Sequence, residues 1–268
     1  MNAIGFSETD ESKKTVDVNS DLGESFGVWS MGDDEAILSC VSSANVACGY
    51  HAGDPSIMKR TVALCASRGV AIGGHVSFPD LLGFGRRNMS CDPDEVYDYC
   101  LYQIGALSAF CRAGGVSLDH VKAHGALYNQ AAKDAKLARA VAAAARDGGV
   151  SALLGLAGSE FEAAARDAGL SFASEVFADR AYSSDGSLLP RSLEGAVLHD
   201  VALVAKRAVT MVTEGRVETA DGAEIKLRPD SICLHGDARE AVDMALAVRR
   251  ALEEAGVTIA PARRRFSR

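Results

Sequence analysis

Short apolar segments alternate with longer amphipathic segments along most of the chain. Apolar runs of strand length occupy 15–19, 43–47, 70–74, 118–123, 151–156, 171–177 and 231–234. Most of these runs are followed by residues that place apolar side chains at helical spacing, as at 94–112 and 238–254. Because strands that alternate with helices form parallel sheets, the pattern predicts an α/β protein.

Seven such repeats, without a long linker rich in Pro or Gly, favour a closed barrel over an open sheet. We therefore predict a seven-stranded, TIM-like β/α barrel that forms one catalytic domain over 15–260. A disordered segment, 1–14, is predicted before it and a basic tail, 261–268, after it. Over 216–227 polar and apolar residues alternate about an Asp-Gly turn, which predicts a β-hairpin inserted in the barrel.

Composition and charge narrow the functional classes. The 268 residues carry a net charge of −8, which disfavours nucleic acid as a partner. No apolar stretch approaches the roughly 20 residues that cross a bilayer, and the N-terminus lacks the apolar run of a signal peptide. We therefore expect a cytoplasmic protein that does not bind membranes. The seven cysteines form no Cys-x-x-Cys pair, which indicates reduced thiols.

Polar residues cluster where the predicted strands end, which is where parallel barrels carry their chemistry. Asp17, Asn19 and Asp21 alternate along the first strand and therefore share one face. Such side chains are costly to bury unless they have a function or are hydrogen-bonded. The later strands end in similar residues: Asn45, His51, His75, Lys122, His124, Asp179, Arg180, His235 and Asp237. We predict that most of these residues line one cavity.

Three other polar residues have simpler interpretations. His120 precedes a predicted strand and His199 lies at a helix start, so surface or capping roles are predicted for both. Cys48 lies among the polar strand ends, where a small buried thiol is a better interpretation than a nucleophile.

Six segments, all in the expected order, resemble the motifs of the LamB/YcsF family: VDVNSDLGESFG, SANVACGYHAGDP, GGHVSFPDLLGFGRR, VKAHGALYN, EVFADRAYSSDGSLLPRS and LHGDA. The resemblance runs from about 16 to about 237, most of the chain. It implies a seven-stranded barrel of the glycoside hydrolase/deacetylase type. Two positions depart from the family pattern, which has Pro where this chain has Val76 and Ala123, and both changes bear on substrate preference.

The resemblance also implies an activity. Members of the family act as the A component of prokaryotic 5-oxoprolinase, which works with B and C components and opens 5-oxo-L-proline to glutamate while ATP is hydrolysed. A five-membered lactam is a poor electrophile, and phosphorylation of its amide oxygen makes it a better one. Because this chain has neither a Walker A loop nor a GxGxxG turn after its first strand, we expect the partner components to handle ATP.

The barrel would then supply a base for water, an acid for the leaving nitrogen and positive charge for the developing anion. The predicted catalytic residues are Asp21, His51, His75, His124 and Asp237, with either aspartate as the base. The predicted substrate-binding residues are Asn19, Lys122, Asp179, Arg180, His235, Arg86 and Arg87. For Arg86 and Arg87, surface salt bridges are an equal alternative. The predicted supporting residues are Asp17, Glu24 and Asn45.

A catalytic metal remains an open alternative, because Asp with two His is a known ligand set for zinc and related ions. Asp21, His51 and His75 are the first candidate ligands. Two other functions also stay open. One is a metal-dependent deacetylase, suggested only by analogy between barrels. The other is a component that binds the lactam without catalysing a reaction. A homo-oligomer is a further alternative.

Overall fold

Seven parallel strands close into a barrel, which confirms the predicted fold class. The computed structural model describes residues 14–234 and 241–262, and these residues form the strands β1 (Thr15–Leu22), β2 (Ser43–Ala47), β3 (Ala71–Val76), β4 (His120–Ala123), β5 (Ala152–Leu156), β6 (Ser171–Phe177), β7 (Arg216–Glu218), β8 (Glu224–Lys226), β9 (Ser231–Cys233) and β10 (Thr258–Ile259). Strands β1 to β6 pair in chain order, and β9 pairs with both β6 and β1. This last pairing closes the sheet.

Helices pack against the strands and against one another around the barrel. They are α1 (Asp34–Ile37), α2 (Pro55–Arg68), α3 (Pro93–Ala113), α4 (Gly125–Ala131), α5 (Ala135–Asp147), α6 (Glu160–Asp167), α7 (Val201–Glu214) and α8 (Ala241–Glu254). Capping residues fix where several begin. The Asp54 carboxylate accepts hydrogen bonds from the backbone N–H groups of Ser56 and Ile57 at 2.8 and 3.0 Å, so α2 begins at the following residue, Pro55.

The inserted hairpin is also confirmed, because β7 and β8 pair in antiparallel fashion within 216–227. The helix predicted at 238–254 corresponds to α8 where the structure describes it. The predicted end segments, 1–14 and 261–268, lie outside the described residues except for Lys14, Pro261 and Ala262. Within the described ranges, no helix is both long enough and apolar enough to cross a bilayer.

Polar side chains fill much of the barrel interior. Asp17 accepts hydrogen bonds from the hydroxyl groups of Ser43 and Ser231 on neighbouring strands. The Asn19 amide donates to Glu175 Oε1 at 3.1 Å, and since β6 is not a neighbour of β1, this contact crosses the interior. The flanking residues Val16 and Val18 on β1 are apolar and fully buried. The shared face predicted for β1 is therefore the inner face of the barrel.

A glycine makes room for a histidine in this interior. Gly73 on β3 lies beside His120 on β4, and a Cβ atom at Gly73 would approach His120 Nε2 to 2.1 Å. The ring nitrogen donates instead to Asn45 Oδ1 at 2.7 Å. The predicted surface or capping role of His120 is therefore wrong, because the missing side chain at Gly73 lets the ring turn inward. His199 is exposed, in line with its prediction.

His120 should give the protein a measurable pH dependence. Burial lowers the pKa of His120 to about 4, and the positive charge of Lys122 adds to this effect. Histidine in an unfolded chain has a pKa of about 6.5. As the pH falls from about 6.5 towards 4, the unfolded chain therefore takes up a proton that the folded chain does not, and stability is lost.

We expect the wild type to lose about 1–2 kcal/mol more stability than His120→Gln between pH 7 and pH 4.5, measured by urea unfolding. The expected loss is smaller than the full pKa difference would give, because the ring is only partly enclosed. Glutamine is chosen because it retains a hydrogen-bond donor for Asn45. His199→Gln is the matched control, since it removes an exposed histidine, and it should follow the wild type. Equal pH slopes for the wild type and His120→Gln would contradict this interpretation.

Candidate active site

The cavity that gathers several of the predicted residues lies at the carboxyl ends of the barrel strands. It is open, has a volume of about 570 Å³, and its polar lining includes Asp21, Glu24, His75, Lys122, His124 and Arg180. These residues come from β1, β3, β4 and the segments that follow β1, β4 and β6. Parallel barrels place active sites at this end, so the cavity is the candidate active site.

A buried ammonium group lies at the floor of this cavity. Lys122 is 2% exposed, and its Nζ donates to Asp21 Oδ1 at 3.0 Å, Glu175 Oε1 at 2.8 Å and Cys233 Sγ at 3.2 Å. Burial alone would lower the pKa of Lys122, but the adjacent Asp21 and Glu175 carboxylates outweigh it and raise the pKa well above its ordinary value. Lys122 therefore stays charged, with its donors used inside the protein.

One oxygen of the Asp21 carboxylate accepts hydrogen bonds from neighbouring side chains, and the other faces the cavity. Its Oδ1 atom accepts from Lys122 and from Asn45 Nδ2, the latter at 2.9 Å. Asn45 also donates to Asn19 Oδ1 at 2.7 Å, so the amide is fixed by the polar interior. The second oxygen, Oδ2, lies 3.2 Å from His75 Nε2 at the cavity wall. Asp21 is therefore fixed in place, with one oxygen directed at the histidines.

Two histidines face each other through nitrogens that cannot both carry a proton. His75 Nδ1 lies 3.2 Å from the Lys122 carbonyl oxygen, and His124 Nε2 lies 2.9 Å from the Phe84 carbonyl oxygen. A carbonyl only accepts, so those nitrogens carry the ring protons. The other nitrogens, His75 Nε2 and His124 Nδ1, are 2.9 Å apart, and each presents a lone pair. Such a contact needs a shared proton or a cation to be favourable.

Glu24 and His51 complete this group. Glu24 Oε1 lies 3.2 Å from His51 Nε2, 3.5 Å from His124 Nδ1 and 4.0 Å from His75 Nε2. The His51 ring stacks on His124, with centroids 3.8 Å apart and planes 6° from parallel. One ligand atom from each of Glu24, His51, His75 and His124 lies within 4.8 Å of the others, so the four residues can hold a metal ion.

Burial keeps two of these imidazoles neutral. It lowers the pKa of His51 and of His124 well below the ordinary value, and the neighbouring histidines add to the effect. Neutral imidazoles offer the lone pairs that a metal ion requires. Among the described residues, the buried His51 Nδ1 has no hydrogen-bond partner. The donor set therefore suits a cation better than it suits a network of hydrogen bonds.

The predicted arginines take different positions. Arg180 is buried beside the cavity. Its guanidinium group donates to the backbone carbonyls of Ala196 and Leu189 and so stabilises the loop after β6. Arg86 lines the cavity, and its guanidinium carbon lies 4.9 Å from the centre of the Phe84 ring. Arg87 instead pairs with the buried carboxylate of Asp80, with Nε donating at 2.8 Å. Arg87 thus follows the salt-bridge alternative.

The remaining predicted residues divide by position. Asp17 lies at the opposite end of the barrel interior, where it lines a separate small cavity. Asp179 is buried but is not part of the catalytic cavity lining, and its backbone carbonyl accepts from Leu198 N–H at 2.8 Å. Burial raises the pKa of the Cys48 thiol to about 12, which suits a structural thiol. His235 and Asp237 lie outside the described residues.

Sequence reasoning missed two buried residues of the site. Glu175 is fully buried and contacts Lys122, and Tyr128 O–H donates to Glu175 Oε2 at 2.8 Å. Burial raises the pKa of Tyr128 well above its ordinary value, and the Glu175 carboxylate adds to the shift. One signal could have revealed Glu175, since it is an acidic residue in the middle of a predicted buried strand at 171–177.

Comparison with known proteins decides the family. The model of the LamB/YcsF family matches residues 16–267. The chain belongs to the LamB/YcsF family. A relative from Tolumonas auensis, the A subunit of 5-oxoprolinase, is 54% identical over 245 residues, 91% of this chain and 98% of the relative. The protein of the same name from Brevibacillus brevis is 52% identical over 256 residues, 95% of this chain and all of the relative.

A solved structure of a similar protein agrees with this assignment. The lactam utilization protein from Thermus thermophilus superposes with a TM-score of 0.87 at 48% identity, over 92% of this chain and 99% of that one. The two departures from the family pattern, Val76 and Ala123, lie at the ends of β3 and β4 and are buried. The Val76 carbonyl accepts the His124 N–H at 2.8 Å, and a proline would keep this acceptor. Neither departure removes a reactive group.

Proposed function

We propose that the chain is the A subunit of an ATP-dependent 5-oxoprolinase and hydrolyses the C–N bond of 5-oxo-L-proline to give L-glutamate. One observation carries the proposal: the fixed Asp21 carboxylate faces the histidine pair in an open cavity of a chain more than half identical to proteins of that name. We further propose the B and C subunits of that enzyme as its partners. A cytoplasmic location fits an enzyme that uses ATP.

The chemistry needs proton transfer at two atoms. When the partners have moved the γ-phosphoryl group of ATP to the amide oxygen, the ring carbon becomes a better electrophile. Asp21 Oδ2 is the base that takes a proton from water as the water oxygen bonds to that carbon. The C–N bond then breaks, and the ring nitrogen takes up the proton that Asp21 Oδ2 accepted from water, while His75, 3.2 Å from that oxygen, orients it. A second water molecule releases phosphate from the resulting acyl phosphate.

Lys122 acts in this scheme by positioning Asp21. Because its ammonium group contacts Asp21 Oδ1 and Glu175 Oε1, it fixes the Asp21 carboxylate and holds Oδ2 towards the cavity. Tyr128 in turn holds the other oxygen of Glu175. The predicted role of Lys122 in binding the substrate is thus better carried by the arginines at the cavity wall.

We also propose that Glu24, His51, His75 and His124 hold a divalent cation such as zinc. The paired lone pairs of His75 Nε2 and His124 Nδ1 support this, and so do the carbonyl groups that orient both rings. Imidazole nitrogens and a carboxylate oxygen are usual ligands of zinc in proteins, so the four residues fit this ion. When bound, such a cation stabilises negative charge on a carbonyl oxygen.

A metal-binding experiment tests this site directly. Protein stripped with a chelator is expected to bind one equivalent of Zn²⁺ in equilibrium dialysis, and His75→Asn or Glu24→Gln should weaken binding by at least about 10-fold. His199→Gln, which removes an exposed histidine, is the control and should bind like the wild type. Equal binding by all four proteins would exclude this ligand set.

Reconstitution tests the function. The chain is mixed with candidate B and C subunits, 5-oxo-L-proline and ATP, and glutamate is measured. Glutamate should form only when all three proteins are present. Release of acetate from an N-acetyl sugar by the chain alone, lost with chelator, would instead favour the deacetylase alternative. Reconstitution that yields no glutamate from active B and C subunits would overturn the proposal.

A further inference from the structure

A second, larger cavity adjoins the catalytic cavity. It is open and has a volume of about 1240 Å³. The two cavities share part of their walls, namely Arg86, Gly125, Asn129, Arg180, Leu188 and Arg191. A ligand can therefore lie with one end beside Asp21 and His75 and the other end in the outer cavity.

The wall of this outer cavity is cationic although the protein as a whole is acidic. Four of its lining side chains are positively charged: Arg86, Lys133, Arg180 and Arg191. None of the lining residues that the structure describes carries a carboxylate. The chain as a whole has a net charge of −8, so positive charge is concentrated at this wall. Such a concave, single-sign surface attracts anions.

Three of these cations are not held in salt bridges. Within the described residues, Lys133, Arg180 and Arg191 form no salt bridge, unlike Arg87 beside Asp80. Arg180 is 6% exposed, and burial lowers its pKa to about 10, with the positive charge of Arg191 acting in the same direction. Two arginines that repel each other in this way are stabilised when an anion lies between them. Neutral donors on the same wall, among them Asn129, add hydrogen-bonding capacity.

We propose that the outer cavity binds the phosphoryl group of the activated lactam, with Arg86, Lys133, Arg180 and Arg191 as its cationic partners. This inference rests on the proposed function. The shared wall places the phosphoryl group outside while the ring carbon faces Asp21. An unactivated lactam lacks the phosphoryl group, so the cavity selects the activated form. The ligand class is a small organic phosphate.

Binding of inorganic phosphate to the isolated chain, measured by calorimetry at low ionic strength, tests the cavity without lactam or partners. We expect the double variant Lys133→Gln/Arg191→Gln to bind phosphate at least about 10-fold more weakly than the wild type. Lys136→Gln is the matched control, because it removes a lysine three residues from Lys133 that is not part of either cavity. It should bind phosphate like the wild type.

The source of the phosphoryl group is tested with ADP. If ADP binds the wild type more than about 10-fold more tightly than phosphate and the double variant loses that binding, the site belongs to a nucleotide and the proposal is overturned. Equal phosphate binding by the wild type and the double variant also overturns it. In the reconstituted complex, the double variant should form fewer molecules of glutamate for each ADP released than the wild type does. A wild-type complex that yields no glutamate refutes the proposed function, whereas the phosphate result stands on its own.

Discussion

Asp21→Asn is expected to lower glutamate formation by the reconstituted complex roughly 10³-fold, within the range that general base catalysis contributes. Asparagine has nearly the same shape, but its amide cannot take a proton from water. Its oxygen can still accept from Lys122 and Asn45, so the fold should be retained. The measurement is the steady-state rate of glutamate formation at saturating ATP and 5-oxo-L-proline.

Asp17→Asn supplies the matched control for this prediction. Asp17 lies on the same strand and the same inner face, but at the opposite end of the barrel, where three serine hydroxyls donate to it. The same substitution there should reduce the melting temperature without a comparable loss of turnover. If Asp21→Asn retains turnover within a few-fold of the wild type while lactam binding persists, Asp21 is not the base, and the non-catalytic alternative is favoured.

The convergence of Asp21, His75 and His124 followed from the sequence, because strand periodicity and the geometry of parallel barrels place strand ends together. The side chains that contact the site residues could not be predicted from the sequence. Glu175 reaches Lys122 across the barrel, and this contact depends on which strands face each other through the interior. Glu24 lies in a loop, and only the tertiary fold brings its carboxylate to His51.

The backbone conformation of a loop also determines which of two adjacent arginines lines the cavity. The sequence predicted the same role for both. Phe84 adopts a left-handed backbone conformation with φ of 53°, and Gly85 follows with φ of 64°. The Phe84 carbonyl is thereby directed to His124, and Arg86 and Arg87 leave the turn in different directions. A Cβ atom at Gly85 would approach the hydroxyl of a neighbouring serine to 2.4 Å, so the turn requires glycine. The glycine indicates a turn, but residue type alone does not show which of the two arginines enters the cavity.

Removal of the buried cation should have the largest effect on stability. Lys122→Met fills a similar volume but leaves the buried Glu175 carboxylate and the partly buried Asp21 carboxylate without this cation. Breaking a buried ion pair from one side costs about 3–5 kcal/mol, and we expect a loss of this size in urea unfolding at pH 8. Lys136→Met, at a lysine outside the barrel interior, is the control and should change stability by less than about 0.5 kcal/mol.

Two further measurements show whether Lys122→Met loses stability because an ion pair is broken or because packing is changed. In Lys122→Met the carboxylates of Asp21 and Glu175 lose the cation that favours their ionised form, so the folded state binds protons more readily than the unfolded chain and the deficit should shrink as the pH falls from 8 to 5. Glu175→Gln, added to Lys122→Met, removes one of the two carboxylates that had lost the ammonium group and should restore part of the lost stability. A deficit that is independent of pH and unchanged in the double variant would mean that Lys122 stabilises the barrel through packing. The proposal that its ammonium group positions Asp21 would then fail.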